Sequence, residues 1–382
     1  MNLIMKKVGI ILFCLVLTLL VVFTVCGEQN IALAQEFKIG IMTGTVSQGE
    51  EEFRAARNMI DIYGEDMISH ITYPDKFTEE QETIITNLLA LASDPLVKAL
   101  VIVQAVPGTS PAIDKVREIR PDILVLAGVP GDDPAVIASR ADFVINKNQI
   151  EMGIATMEQA YKLGAKTFVL YSCPRHMSYE ILIQQRANYE KTAKRLGIKW
   201  VYENAPDPTG DAGVAGTQMF LMEDVPRKIA EYGVDTAITA TNCSMMEPII
   251  LQVAMGGAIF PCQCCPSPYH GYPGALGIEI PEDKKGNVPW IIEAIDRKVI
   301  ELGNPGRMST WPIPCNMILI EAFTKYAVDY CEGKTDGKFD IPHMESIFSE
   351  IIGGEPIVFI PLPGYDNFLR FMAPYITFGV EH

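Results

Sequence analysis

Phe37-Lys38-Ile39-Gly40-Ile41-Met42-Thr43-Gly44 and Ala99-Leu100-Val101-Ile102-Val103-Gln104-Ala105-Val106-Pro107 stay apolar over successive residues. A strand with both faces apolar belongs in a parallel sheet covered by helices on each side. Working outward, 67–73, 122–129 and 141–145 have the same character. Helical patterns at 49–63, 78–93, 111–120 and 134–140 alternate with these strands. Thr78-Glu79-Glu80-Gln81 has the form of a capping box, and Asp94-Pro95 stops the helix it would open.

The rhythm then restarts. Helices are expected at 152–163, 179–196, 225–232 and 246–255, and strands at 167–172, 199–204, 236–241, 258–261 and 274–280. A Pro/Gly/Asp-rich loop fills 205–216. Two βα series joined near 146–148 imply an α/β protein of two doubly wound, Rossmann-like parallel-sheet lobes. On this reading 35–146 forms the first lobe, with a return segment after about 275, and 147–275 the second. The remainder, 276–382, carries crossings between lobes and C-terminal elements. There 289–302 and 316–331 read as amphipathic helices, 357–361 as a strand, and 368–378 as helix or strand.

A chain of 382 residues exceeds one ordinary compact domain, and 48% hydrophobic residues suffice for full-sized cores. With 31 Lys plus Arg against 47 Asp plus Glu, the net charge of −16 repels phosphate backbones, so no nucleic-acid partner is expected. Lys6 and Lys7 precede an apolar run over 8–25, which reads as an export signal or anchor within 1–34. Three endings are open: cleavage before Gln35 after Ala32-Leu33-Ala34, lipid attachment at Cys26, or retention as a membrane anchor. Each places the folded part outside the cytoplasm, at the membrane or released from it.

The two apolar runs quoted first, the export signal, and Ile123-Leu124-Val125-Leu126-Ala127-Gly128 followed by Ala141-Asp142-Phe143-Val144-Ile145 and a restart together carry a resemblance. The layout over 37 to about 280 resembles the type I periplasmic binding proteins of ABC importers, and within that fold it looks like an uncharacterised bacterial family. The resemblance implies two lobes that close on a small-molecule ligand and present it to an ABC transporter permease. It implies no enzyme activity and no cofactor, because no bond changes. A sensor that shows its ligand to a receptor is the alternative. Transcription regulators share the core, but here a signal segment stands in place of their DNA-binding head.

In such a fold the ligand lies where the carboxyl ends of both sheets face each other. First-lobe strand ends place Gly44, Thr45, Gln48, Gln104, Ala105 and Val106 there. Second-lobe ends place Tyr171, Ser172, Cys173, Arg175, Thr241, Asn242 and Cys243 there, with Tyr269 from the loop 261–273. Arg175 suits an anionic group and Tyr269 a flat or sugar-like one. Cys173, Cys243 and Cys262 each follow a second-lobe strand, Cys264 and Cys265 add further sulfur, and His176 or His270 is at hand. A thiol-ligated metal or metallocofactor is therefore a third reading, although the usual pair of Cys-x-x-Cys motifs is missing and no metal ligand is assigned. No Gly-x-Ser-x-Gly elbow, P-loop or Gly-x-Gly-x-x-Gly fingerprint occurs. Glu50-Glu51-Glu52 reads as a solvated helix start rather than a catalytic pair.

Overall fold

The computed structural model describes residues 37–380 apart from 353 and 355. The export signal, the Cys26 lipid site and the cut before Gln35 lie outside the described residues. In chain order the first series is β1 (Lys38–Thr43), α1 (Val46–Tyr63), β2 (Ile68–Thr72), α2 (Gln81–Ser93), β3 (Val97–Val103), α3 (Thr109–Ile119), β4 (Leu124–Gly128), α4 (Pro134–Ala138) and β5 (Phe143–Lys147). The second is α5 (Gln149–Lys162), β6 (Thr167–Ser172), α6 (Glu180–Leu196), β7 (Lys199–Asn204), α7 (Gly213–Tyr232), β8 (Thr236–Ala240) and α8 (Met246–Gly256). Then follow α9 (Tyr272–Leu276), α10 (Val288–Glu301), β9 (Ser309–Thr310), α11 (Cys315–Cys331), α12 (Ile341–Ile351), β10 (Ile360–Leu362), β11 (Tyr365–Phe371) and β12 (Ile376–Thr377).

The strands build two parallel sheets. The first has the order β10-β11-β5-β4-β3-β1-β2, parallel throughout except where β10 runs against β11. The second has the order β7-β6-β8. Single bridges, Ala237 to Ile259 and Phe260 to Met308, extend it by two short runs. Apolar residues cover both faces of each sheet, as unbroken runs such as Val97–Val103 require. On one face of the first sheet, Ile41, Val101 and Leu126 meet Ala56, Met59 and Phe323 of α1 and α11. On the other, Met42, Leu100 and Val125 meet Leu88 of α2 and Ile113 of α3. In the second sheet Val169 and Ile238 pack on α7, α8 and α10, while Phe168 and Leu170 pack on α5 and α6.

After Lys147 the chain leaves the first sheet for the second. It returns between Thr310 and Cys315 to lay α11 on the first, and goes back between Phe371 and Ile376, where β12 pairs with β9. Within that return to the first sheet, β11 pairs in parallel with β5 from Phe368 opposite Val144 to Phe371 opposite Lys147.

Several expectations need correction. The capping box is not formed: Thr78 lies in a turn in which Glu79 N–H and Glu80 N–H both donate to Lys76, and α2 starts only at Gln81 without a side-chain cap. The strand expected at 274–280 is not formed: 274–276 end α9, a helical turn closed at both ends by glycines in the left-handed region, Gly271 (φ 78°) and Gly277 (φ 63°), and 278–280 are irregular. The helix at 225–232 is the last part of α7, which begins within the expected loop, at Gly213, and runs through Pro226. Burial of Thr217, Leu221 and Val225 on one face outweighs the poor helix propensity of Gly216 and Pro226. The run 368–378 holds the end of β11, to Phe371, and β12 at Ile376–Thr377, with 372–375 irregular between them.

Candidate functional site

Parallel strands put all their carboxyl ends on one edge of each sheet, and here those edges face a cleft of about 240 Å³. Gln104, Lys147, Arg175, His176, Asn242 and Cys243 all line it, so both sheets contribute. Two strand exits are strained toward it. Gln104 after β3 and Val129 after β4 both have φ of 47°, which non-glycine and especially β-branched residues avoid. The Gln104 conformation is held by its side chain: Nε2 donates to Glu52 Oε1 at 2.8 Å and lies 3.9 Å from Cys243 Sγ.

The expected site residues divide. Gln48, Gln104, Val106, Arg175, Thr241, Asn242 and Cys243 come together around the cleft. Gly44 does not line it; an added Cβ there would lie 2.8 Å from the Tyr73 hydroxyl. Thr45 is turned away, bonded to Ser47 and to the carboxylate of Asp75, which also takes up Ser47. Ala105 is wholly buried, its N–H given to Gly128. Tyr171 points into the second core with its hydroxyl on Asp224 Oδ2 at 2.8 Å, because alternate residues of a strand face opposite layers. Cys173 is buried in that same core, and Ser172 is buried with Oγ 2.7 Å from Thr241 Oγ1. Tyr269 borders a smaller adjoining cavity, with Glu51, Glu52, Ser244 and His270.

Arg175 does not offer a free charge. Its Nε and Nη2 grip Asp207 at 2.9 and 3.1 Å, and Nη1 donates to the Tyr179 hydroxyl. Its neighbour His176 is buried, with Nδ1 3.0 Å from Thr241 Oγ1. Burial, reinforced by the Arg175 charge, pushes the imidazole down to about 3, so the ring is neutral.

The thiols sort differently from the sequence pattern. Cys243, Cys264 and Cys265 converge, whereas Cys173 and Cys262 are placed in the two cores. Among the described residues every cysteine is free. A negative charge on this trio rests best on Cys243, which hydrogen bonds from Cys264 and Cys265 stabilise; burial pushes Cys264 up.

Several residues went unanticipated. Glu51 and Glu52 are not a solvated helix start: they are 6% and 0% exposed. Only Glu50 is at the surface, paired with Arg54. Burial pushes the Glu51 carboxyl up to about 8 and that of Glu52 up to about 7. Glu52 Oε2 accepts from Asn316 Nδ2 at 3.2 Å, while Glu51 Oε1 has no partner among the described residues. Gly49 is extended (φ −160°), and any Cβ there would overlap the Glu52 carboxylate. The helical period did hold a signal, since Glu51 and Glu52 stand one turn before the buried pair Ala55 and Ala56, followed by Met59 and Ile60. Lys147, 2% exposed at the end of β5, had no such signal. Burial opposes its charge, and the nearby thiols of Cys265, Cys315, Cys264 and Cys243 outweigh that effect, holding the amine above its ordinary value.

Residues 37–309 match the family described as protein of unknown function (DUF3798). Two uncharacterised proteins of Treponema pallidum (strain Nichols) are similar. One is 36% identical over 182 residues, 46% of this chain and 82% of its own. The other is 30% identical over 221 residues, 58% of this chain and 100% of its own. Among solved structures, a putative transcriptional regulator from Clostridium difficile 630 superposes with a TM-score of 0.72 at 24% identity, covering 90% of this chain and 99% of that one. A galactofuranose binding protein superposes with a TM-score of 0.50 at 14% identity, covering 83% and 99%. At such identities the likeness speaks for fold alone, that of type I periplasmic binding proteins and the regulators related to them. With the match running over well more than half its length, the chain belongs to the DUF3798 family.

Proposed function

We propose that this chain is an extracytoplasmic solute-binding protein that captures a small polar molecule between its lobes and hands it to an ABC permease, without changing any bond. The observation that carries the reading is the cleft of about 240 Å³ between the carboxyl edges of two parallel sheets. A buried acceptor there supports it: Asn146 Oδ1, at the end of β5, lines the cleft and has no hydrogen-bond partner among the described residues. In this reading Gln48, Gln104, Asn146, Thr241 and Asn242 bond the solute, and His176 meets it as a neutral ring. Arg175, already taken by Asp207, shapes the wall rather than neutralising an anion.

The volume is at the small end for ligand sites, so the solute has the size of a single sugar or a small acid rather than a nucleotide. The test is to purify the full chain without added solutes, denature it, and identify what is released by mass spectrometry. Adding the recovered compound at 100 times its Kd is expected to stabilise the protein by about 2.7 kcal/mol. Asn146→Ala is expected to weaken binding at least about tenfold, the cost of one lost buried hydrogen bond. Release of no compound, together with no stabilisation across a panel of sugars, organic acids and amino acids, would overturn the proposal.

A further inference from the structure

At the floor of the cleft Cys243 Sγ lies 3.4 Å from Cys264 Sγ and 3.6 Å from Cys265 Sγ. Four-coordinate thiolate sites have metal–sulfur bonds of ~2.3 Å, which for a tetrahedron sets sulfur–sulfur edges of ~3.75 Å. Cys243 needs to move by only a few tenths of an ångström from each of the other two sulfurs to reach that spacing. From this geometry we infer that Cys243, Cys264 and Cys265 form a binding site for one thiophilic d¹⁰ divalent cation of the zinc class.

The rest of the surroundings fits such an ion. The loop carrying Cys264 and Cys265 is fixed from beneath by Gln263, 2% exposed. Its Nε2 donates to Ser267 O at 2.7 Å and to His270 O at 2.9 Å, and its Oε1 accepts from Thr310 Oγ1 at 2.6 Å. Sulfurs held this way lose little freedom on binding. A ring nitrogen of His270 lies within 4.8 Å of the Cys243 and Cys264 sulfurs. Both ring nitrogens now face main-chain carbonyls, Cys265 O at 2.7 Å and Cys243 O at 3.3 Å, so the ring has to turn before it offers a lone pair. The fourth position is thus left to that ring or to a solvent or solute atom from the cleft.

Charge completes the argument. Lys147 is 2% exposed and lies close enough to Cys243, Cys264 and Cys265 to interact with their charge. A buried ammonium calls for negative charge nearby. Three thiolates around a divalent cation carry a net single negative charge, which Lys147 matches; the three thiol protons leave to solvent on binding. Sulfur donors disfavour magnesium and calcium. Iron–sulfur clusters spread their cysteines over separate irons, so two sulfurs that both meet Cys243 suit a single ion better.

The test uses the full chain, reduced, stripped with a chelator and freed of organic solute. Titration with Co²⁺ is expected to raise a thiolate-to-cobalt charge-transfer band that saturates at one ion per chain and is bleached by Zn²⁺. Zn²⁺ is also expected to protect Cys243, Cys264 and Cys265 from alkylation in the wild-type protein, read peptide by peptide, which needs no variant to fold. Cys264→Ser and Cys265→Ser are each expected to weaken Co²⁺ binding at least about tenfold. Cys331→Ser, at the far end of α11, leaves it unchanged. Absence of the band in the reduced wild type, or a band indifferent to both serine variants, overturns the inference. Either outcome leaves the solute reading standing, since that is judged by the released compound and not by cobalt.

Discussion

Replacing His176 by asparagine tests whether the cleft wall holds a neutral imidazole. The wild-type ring is buried between Arg175 and Thr241 and is pushed from 6.5 down to about 3. A histidine depressed in the folded state leaves stability intact above the unfolded value and removes it as pH falls toward the folded one. With 6.5 for the unfolded chain and about 3 for the folded, the linkage amounts to a loss of about 2–3 kcal/mol between pH 6 and pH 4. Asparagine places an amide where Nδ1 meets Thr241 and does not titrate. His176→Asn is expected to cost about 1–2 kcal/mol at pH 7 through lost packing. Across the acid range its stability should then fall about 2–3 kcal/mol less than that of the wild type. Urea unfolding followed by fluorescence at half-unit steps of pH measures both slopes. Parallel profiles, differing by less than about 1 kcal/mol over the window, would show that His176 is solvated or charged in the fold and that this account of the wall is mistaken.

Glu321 on α11, raised by burial from 4.5 to about 7, gives the opposite dependence: its contribution is intact below 4.5 and lost as pH rises to 7. Glu321→Gln is expected to gain about 2 kcal/mol over wild type at pH 8 relative to pH 5 in thermal unfolding, after discounting for its partial exposure. Asp207→Ala strands the Arg175 guanidinium and removes the acceptor for Thr209 N–H and Oγ1; a loss of about 2–3 kcal/mol in urea is expected, with Arg175→Met in the same background restoring part of it. Gly153→Ala pits helix propensity, worth about 1 kcal/mol, against a Cβ placed 2.4 Å from the Gln185 carbonyl oxygen. Backbone cannot yield cheaply, so α5 and α6 are expected to separate, with a net loss of about 1–2 kcal/mol and a lower Tm.

The βα rhythm was readable because a parallel sheet needs strands apolar on both faces, and 167–172 and 199–204 coincide with β6 and β7 to the residue. Where the reading failed, nonlocal packing had overruled local preference. α7 runs through Pro226 because its Leu221 and Val225 find a core, and α12 passed unnoticed in a C-terminal region where no βα alternation guided the reading. The last strands were ambiguous because 368–378 is apolar in a way that suits helix and strand alike until β5 supplies a parallel edge for it.

The site was legible to the extent that strand ends are. Gln104, Arg175, Thr241, Asn242 and Cys243 follow apolar runs, and parallel topology carries every such residue to one edge. Which of them face the cleft was beyond the pattern, because a shift of one residue turns a side chain to the other layer, as Tyr171 shows with its hydroxyl on Asp224. Amino-acid order alone thus determined the alternation, the restart and the two covered sheets, all consequences of local hydrophobic period. Only tertiary structure decided that Glu51, Glu52 and Lys147 are buried, that Asp207 claims Arg175, and that Cys243 meets Cys264 and Cys265 rather than Cys173. Those meetings join segments far apart in the chain, and their partners are chosen by crossing geometry and side-chain direction, which no local period encodes.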